Sequence, residues 1–271
     1  MKKVLITGGA SGLGLAMAKR WASTGATVCV ADRTEALAQA TINAINEAGG
    51  QGHFVACDVT DDESLAAVKR YTDEHIGALD VLINSAGVPT AGSIEGESLK
   101  AWQWVLDINL LGCVRLAKLY VPDMRKNKTG HIVNVASQAG ITSMPFMGSY
   151  NASKAALVAY SETMKLELSP FNIGVSVLCP AFVKTNLDKS LPEEQSDMQS
   201  VVTKLVERGT VSAEEVAEAA FKAVQNNKFM VITHADGGRI YSLKRWLPNF
   251  YFWLMAKKSK PFTVKGYENG A

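Results

Sequence analysis

The sequence predicts an α/β fold, a single doubly wound sheet of seven parallel strands with helices on both faces. Three observations carry this reading. Short β-branched runs alternate with helical patterns up to about residue 232. The runs are almost wholly apolar, as expected of parallel strands covered on both sides. A glycine cluster follows the first run directly, where a strand hands over to a helix.

The elements follow in order. KVLIT precedes a helix near 12–24, ATVCVA a helix near 34–48, and GHFVAC a helix near 61–76. ALDVLIN is followed by one helix or more near 98–127, GHIVNVA by a helix carrying SYNASKAALVAY, and IGVSVLC by a polar stretch. A helix near 212–226 and the run KFMVI complete the pattern. Right-handed crossovers between parallel strands make such a sheet doubly wound. No linker or repeat divides the 271 residues, so 1–271 reads as one dinucleotide-binding and catalytic domain. Residues 184–209 contain LPEEQSD and are long for a connection, which predicts a mobile cover over the substrate. A basic, aromatic extension occupies 239–271.

Composition excludes several classes of function. With 28 basic and 26 acidic side chains the formal charge is only +2, so a general affinity for nucleic acid is not expected. Cys29, Cys57, Cys113 and Cys179 lie in or beside apolar runs without CxxC spacing, which predicts buried reduced thiols. His53, His75, His131 and His234 are scattered without ligand spacing, and no metal site is expected. The apolar run of MKKVLITGGA is too short for a secretory signal, and no run approaches the ~18 apolar residues of a membrane span. A cytoplasmic protein is expected, with the tail as its one route to a membrane surface.

In ITGGASGLGLAMAKR, Gly8, Gly12 and Gly14 stand between a strand and a helix. Glycine allows a tight turn and close backbone approach, and a helix start favours a phosphate. A dinucleotide pyrophosphate suits this end, and the fold becomes a Rossmann-type sheet. Asp32 ends the second strand in VCVADR, where a carboxylate can accept hydrogen bonds from an adenosine ribose and repel a 2′-phosphate. This favours NAD, while Arg33 beside it admits NADP.

Tyr150 and Lys154 are four residues apart on one helix face. An ammonium about 4 Å from the phenol contributes roughly 4 kcal/mol at an effective dielectric near 20, enough to bring tyrosine into the range of proton exchange. Ser137 ends the strand HIVNVAS, where its hydroxyl can hold a substrate oxygen or simply cap a turn.

TGGASGLG at 7–14, NSAG at 84–87, Asn109 in DINLLG, Ser137 and YNASK at 150–154 resemble, in order, the motifs of the short-chain dehydrogenase/reductase family. The resemblance spans roughly 3–235. It implies an oxidoreductase moving a hydride between a nicotinamide dinucleotide and an alcohol or ketone, in a homodimer or homotetramer. It makes Tyr150 the general acid/base, gives Lys154 the tuning of Tyr150 and the nicotinamide ribose, has Ser137 orient the reacting oxygen, and lets Asn109 support a water relay. Cofactor contacts are implied for Gly8, Ser11, Gly12, Leu13 and Gly14, for Asp58 and Val59 near adenine, and for Asn84, Ala86 and Gly87 near the adenosine ribose. Pro180, Val183 and Thr185 are implied around the carboxamide. Asn84 can instead tie neighbouring strands, and Asp58 can cap the helix after it. The sequence departs from the family pattern at Ser85, which replaces an asparagine, and at Ala181, which replaces a glycine after Pro180. Alanine tolerates positive φ poorly, so a different backbone is expected there.

Ile141, Met144, Phe146, Met147, Phe182, Leu187 and Leu191 suggest an apolar substrate, or alternatively a cluster packed beneath the cover. Between Arg239 and Lys265 there are seven basic residues and no acidic ones, interleaved with Trp246, Phe250, Tyr251, Phe252 and Trp253. Such a tail suits a lipid headgroup interface, a subunit contact or a pocket lid, with Pro248 interrupting any continuous helix. Two rival classes remain: a non-catalytic NAD(P)-binding regulatory protein, and a membrane-surface interaction protein on the same fold.

Overall fold

β1 (Lys3–Thr7), β2 (Thr27–Asp32) and β3 (Gln51–Ala56) form one half of a parallel sheet, and β4 (Val81–Asn84), β5 (Gly130–Val135), β6 (Ile173–Cys179) and β7 (Met230–Ile232) the other. The strand order is β3-β2-β1-β4-β5-β6-β7. This computed structural model describes residues 1–185, 190–192, 195–196, 199–207 and 209–268. The seven expected strands and their parallel pairing are all present.

Alternation along each strand sends side chains to opposite faces. Leu5, Cys29, Leu82, Ile132 and Val175 enter one buried layer, and Val4, Ile6, Val28, Val30, Ile83 and Val133 enter the other. Fully burying one such side chain is worth about 1.5–3 kcal/mol, so both layers are needed to hold the sheet. α1 (Gly12–Ala22) and α8 (Ala213–Gln225) cover the second layer, where Trp21 meets Phe221 edge-on at 5.2 Å. α3 (Asp62–His75) and α5 (Gly112–Asn127) cover the first, and the Thr72 and Tyr120 hydroxyls pair at 2.9 Å. α2 (Ala38–Glu47) lies beside β3.

Local chemistry sets the helix starts. Asp61 caps α3 by accepting from the Glu63 and Ser64 N–H groups, and Ser212 and Glu215 form a reciprocal capping box on α8. The helical stretch expected near 98–127 is not continuous. α4 (Leu99–Leu106) passes into a π-type turn over Asp107–Leu111 before α5, placing Asn109 at the irregularity. α6 (Gly148–Leu168) carries Tyr150 and Lys154.

Part of the expected cover, 186–189, 193–194, 197–198 and 208, lies outside the described residues, as does Leu187. The described part contains α7 (Gln199–Glu207). In the tail α9 (Ala235–Trp246) ends before Leu247, and α10 (Pro248–Glu268) begins on Pro248, where a missing N–H costs nothing. No described helix is long and apolar enough to cross a membrane. All four cysteines are buried, as the sequence led us to expect.

Candidate active site

β1 and β4 are neighbours although their following helices lie on opposite faces of the sheet, so the chain diverges beyond Thr7 and Asn84 and leaves a crevice. A cavity of about 790 Å³ occupies it, running from the glycine loop to the start of α6.

At the glycine end Gly8 turns the chain at φ +63°, and its N–H donates to the Ala31 carbonyl at 2.9 Å. A Cβ on Gly8 would lie 2.7 Å from the Ala86 Cα, and one on Gly14 would land on the Gly8 carbonyl. The loop, the first turn of α1 and the turn after β4 therefore touch backbone to backbone. Gly12 adopts φ +51° beneath Thr185, and Ser11 makes no side-chain bond to the first helical turn. With Leu13 these residues line the cavity at the positive end of α1, where the N–H groups of the first helical turn have no intrahelical acceptor. The arrangement fits a dinucleotide pyrophosphate.

Asp32, Arg33, Asp58 and Val59 line the same end. The Asp32 carboxylate accepts from the Ala10 N–H at 3.0 Å and the Thr34 N–H at 3.0 Å, which ties β2 to the glycine loop. Asp58 accepts from the Thr60 N–H at 2.8 Å and the Thr60 hydroxyl at 2.7 Å, and these bonds hold its carboxyl below the usual range. It does not cap α3; Asp61 does.

The reactive end is built by β5 and α6. Small residues let α6 pack closely: Ser149, Ser153 and Ser161 are fully buried, and a Cβ on Gly140 would lie 2.6 Å from the Lys154 backbone. Glu97 sits at the helix start, accepting from the Ser149 N–H at 3.1 Å and from the Ser149 hydroxyl. Ser137 accepts from the Ala139 N–H at 3.1 Å, so it caps a short turn, and it also lines the cavity. Tyr150 and Lys154 both face the cavity and are buried.

The electrostatics differ from expectation. Burial raises the Tyr150 phenol above its ordinary value, and the opposing contribution is a hydrogen bond with Ser137 rather than the Lys154 charge. Lys154 Nζ lies 5.9 Å from the Tyr150 ring centre and donates to the Val135 carbonyl at 2.9 Å. Its own burial lowers it to about 8, against the opposing influence of Cys113 and Cys179. With its ammonium directed at the Val135 carbonyl and 5.9 Å from the ring centre, Lys154 is less closely coupled to the phenol than the ~4 Å that the sequence reading assumed.

Two predicted residues do not line the cavity. Asn84 is corrected from a ribose contact to a strand tie, since its amide donates to Asn134 Oδ1 at 2.7 Å between β4 and β5. Asn109 is also behind the wall. Its Nδ2 donates to the Val88 carbonyl at 3.0 Å and to Ser153 at 3.1 Å, while its Oδ1 accepts from the Val88 N–H at 2.9 Å. It thus fixes the loop after β4 against α6. Ala86, Gly87, Pro180, Val183 and Thr185 line the cavity. A Cβ on Gly87 would lie 3.3 Å from Lys154 Nζ, so glycine keeps the approach to the ammonium open. Ala181 has no positive φ, and its N–H donates to His234 Nδ1 at 3.3 Å.

Of the apolar residues singled out in the sequence, Met144, Met147 and Phe182 line the cavity, while Ile141 and Phe146 are buried outside the lining. Sequence reasoning missed Trp104, Val202, Val206 and Ile240, which also line it, and left Tyr251 and Met255 only as part of the tail. Val202 and Val206 are an i,i+4 pair on α7, and Tyr251 and Met255 one on α10. The spacing was visible, but the element each pair faces was not. Gln138 and Thr142 add polar groups, joined at 2.8 Å, with the Gln138 Oε1 left unpartnered and buried.

A family model described as short chain dehydrogenase matches residues 2–196. The chain is 35% identical over 236 residues to the ketoacyl reductase HetN of a Nostoc species, covering 87% of this chain and 79% of that one. It is 30% identical over 272 residues to dehydrogenase/reductase SDR family member 7B of Xenopus laevis, covering 97% of this chain and 84% of that one. Among solved structures it resembles a short chain dehydrogenase/reductase from Burkholderia phymatum in complex with NAD, with TM-score 0.85, 31% identity and coverage of 90% and 92%. It also resembles a short-chain dehydrogenase from Sphingobium yanoikuyae in complex with NADPH, with TM-score 0.77, 26% identity and coverage of 94% and 96%.

Proposed function

The chain belongs to the short-chain dehydrogenase family and is an oxidoreductase of that family, and from this premise we propose that it interconverts an apolar ketone and its alcohol with NAD as the preferred cofactor. The observation that carries this reading is the continuity of one cavity from the phosphate-binding glycine loop to the buried Tyr150 hydroxyl. When bound, the nicotinamide supplies or accepts the hydride.

The residues of this chain handle everything else. Tyr150, raised by burial, keeps its proton at neutral pH and donates it to a carbonyl oxygen. Ser137 shares that oxygen through its hydroxyl. Lys154, at about 8, is charged below that pH and favours the phenolate left behind. Oxidation of an alcohol starts from the phenolate, so it gains from alkaline pH. Asn109 acts as a positioning residue through Val88 and Ser153. Asp32 supports NAD because a carboxylate lining this end of the cavity, at the close of β2, would repel a 2′-phosphate. Met144, Met147, Phe182 and Val206 support an apolar substrate, and the ketoacyl reductase name of the Nostoc relative agrees with a carbonyl on an acyl chain.

The test is an absorbance screen at the reduced-nicotinamide band with NAD and NADP in parallel against ketones and alcohols. Turnover that is faster with NAD and falls by about 10³-fold or more in Tyr150→Phe, with cofactor affinity kept, is expected. Unchanged turnover in that variant removes Tyr150 from its role.

A further inference from the structure

Helix α10 has two faces with different surroundings. On the inner face Tyr251 and Met255 line the cavity, and Phe262 and Tyr267 pack on Phe146 at ring separations of 5.4 Å and 5.3 Å. Phe146 holds φ +58°, a conformation costly for a bulky residue, and it is 8% exposed at this contact. Lys244 of α9 donates to the Ile141 carbonyl at 2.8 Å and fastens the preceding helix to the same rim. The tail is thereby fixed as a roof over the substrate end of the cavity.

On the outer face Phe250, Trp253, Lys257, Lys260 and Val264 follow one another at three- and four-residue intervals and are all exposed. Phe250 and Trp253 stack at 5.7 Å, and Lys257 lies 5.6 Å over the Trp253 ring. Trp246, 77% exposed, and Leu247, 56% exposed, extend the apolar surface across the corner between α9 and α10. Arg245, Lys257, Lys258 and Lys260 are exposed around it, and among the described residues none has a carboxylate partner. Exposed aromatic rings ringed by unpaired cations are disfavoured in water and match an interface where rings enter the acyl boundary and cations meet anionic headgroups. Seven basic and no acidic residues between Arg239 and Lys265 complement a negative surface and repel a second copy of the same face.

We propose that α10 seats the enzyme on an anionic lipid surface while its inner face roofs the cavity, so that a lipophilic substrate passes from the bilayer to Tyr150 beneath the helix. The lipid seat rests on the geometry of α10 alone, and the passage of substrate rests on the oxidoreductase reading above. Binding is peripheral: the rings enter the headgroup region and the chain does not span the bilayer.

The experiment uses the full chain with phosphatidylcholine vesicles, with and without phosphatidylglycerol. Sedimentation is expected only with phosphatidylglycerol present and is expected to weaken with salt, since exposed charges are screened over about 10 Å at 0.1 M. Trp253→Ala/Lys257→Ala/Lys260→Ala is expected to weaken vesicle binding by more than tenfold, each lysine carrying about fivefold. The same variant should turn over a water-soluble short ketone at the wild-type rate and a vesicle-dissolved long-chain ketone more slowly. Failure of the wild type to sediment overturns the proposal, as does equal binding by wild type and variant. Dissociation of a dimer in the variant, read by analytical ultracentrifugation, also overturns it and assigns the face to a second copy. Vesicle binding without turnover of any ketone leaves the lipid seat standing and removes the oxidoreductase reading together with the passage of substrate.

Discussion

Replacing Glu97 by alanine removes the acceptor that holds the first turn of the catalytic helix. Glu97 is 9% exposed and Ser149 and Thr90 are fully buried, so the groups it leaves behind cannot turn to water. Its carboxylate accepts both the Ser149 N–H, at 3.1 Å, and the Ser149 hydroxyl. The hydroxyl keeps a second partner in Thr90 at 2.6 Å, whereas the N–H has none in reserve. An orphaned buried donor costs about 1–3 kcal/mol, and losing the charge-assisted bond to the hydroxyl adds about 1.5 kcal/mol. A negative charge at a partly buried helix start contributes up to about 2 kcal/mol more. Glu97→Ala is therefore expected to lose about 3–5 kcal/mol in urea unfolding. Glu97→Gln keeps the shape and one neutral acceptor and should lose only about 1–2 kcal/mol. Because Tyr150 follows Ser149 directly, kcat should fall further than KM rises in both variants, with alanine the more severe. A loss below about 1 kcal/mol in Glu97→Ala, with kcat unchanged, would falsify the view that this carboxylate anchors the helix.

Gly14→Ala places a methyl on the Gly8 carbonyl and within 2.9 Å of the Gly9 Cα, so the glycine loop must move. Fluorescence titration with the reduced dinucleotide should show at least tenfold weaker binding, while thermal stability falls by an overpacking cost of about 1–3 kcal/mol; unaltered affinity would contradict the placement of the pyrophosphate. Burial pushes Cys29 and Cys179 up to about 12 and Cys57 and Cys113 up to about 11, from an unfolded value of 9.0. The unfolded chain releases these four protons above pH 9 while the folded chain keeps them, so stability falls as pH rises from 9 towards 11. Lys154, at about 8 against 10.5 unfolded, opposes this with one proton, because its burial penalty is full below pH 8 and fades by 10.5. The four thiols outweigh the single amine, so the urea midpoint is expected to fall from pH 9 to 10.5, and a flat midpoint across that range would show the thiols to be accessible.

The sheet, the glycine loop and the shared face of Tyr150 and Lys154 were legible in the sequence, because each is written within one element. A strand declares itself by its apolar run, TGGASGLG sits in a single strand-to-helix turn, and four-residue spacing puts two side chains on one helix face whatever surrounds it. The helix near 212–226 was likewise legible, although the capping of its start by Ser212 and Glu215 came from the structure. Tertiary structure decided what depends on segments distant in the chain. Lys154 is lowered by the walls that bury it, and the Val135 carbonyl that holds it belongs to another strand. Asn84 turns to Asn134, fifty residues away, rather than to the cavity. Tyr251 and Met255 roof a site whose reactive groups lie about a hundred residues earlier, and nothing in the local pattern of α10 says which of its faces meets them. Periodicity specifies a face, but only the packed chain supplies what that face touches, and burial by those neighbours then lowers Lys154 and raises Tyr150.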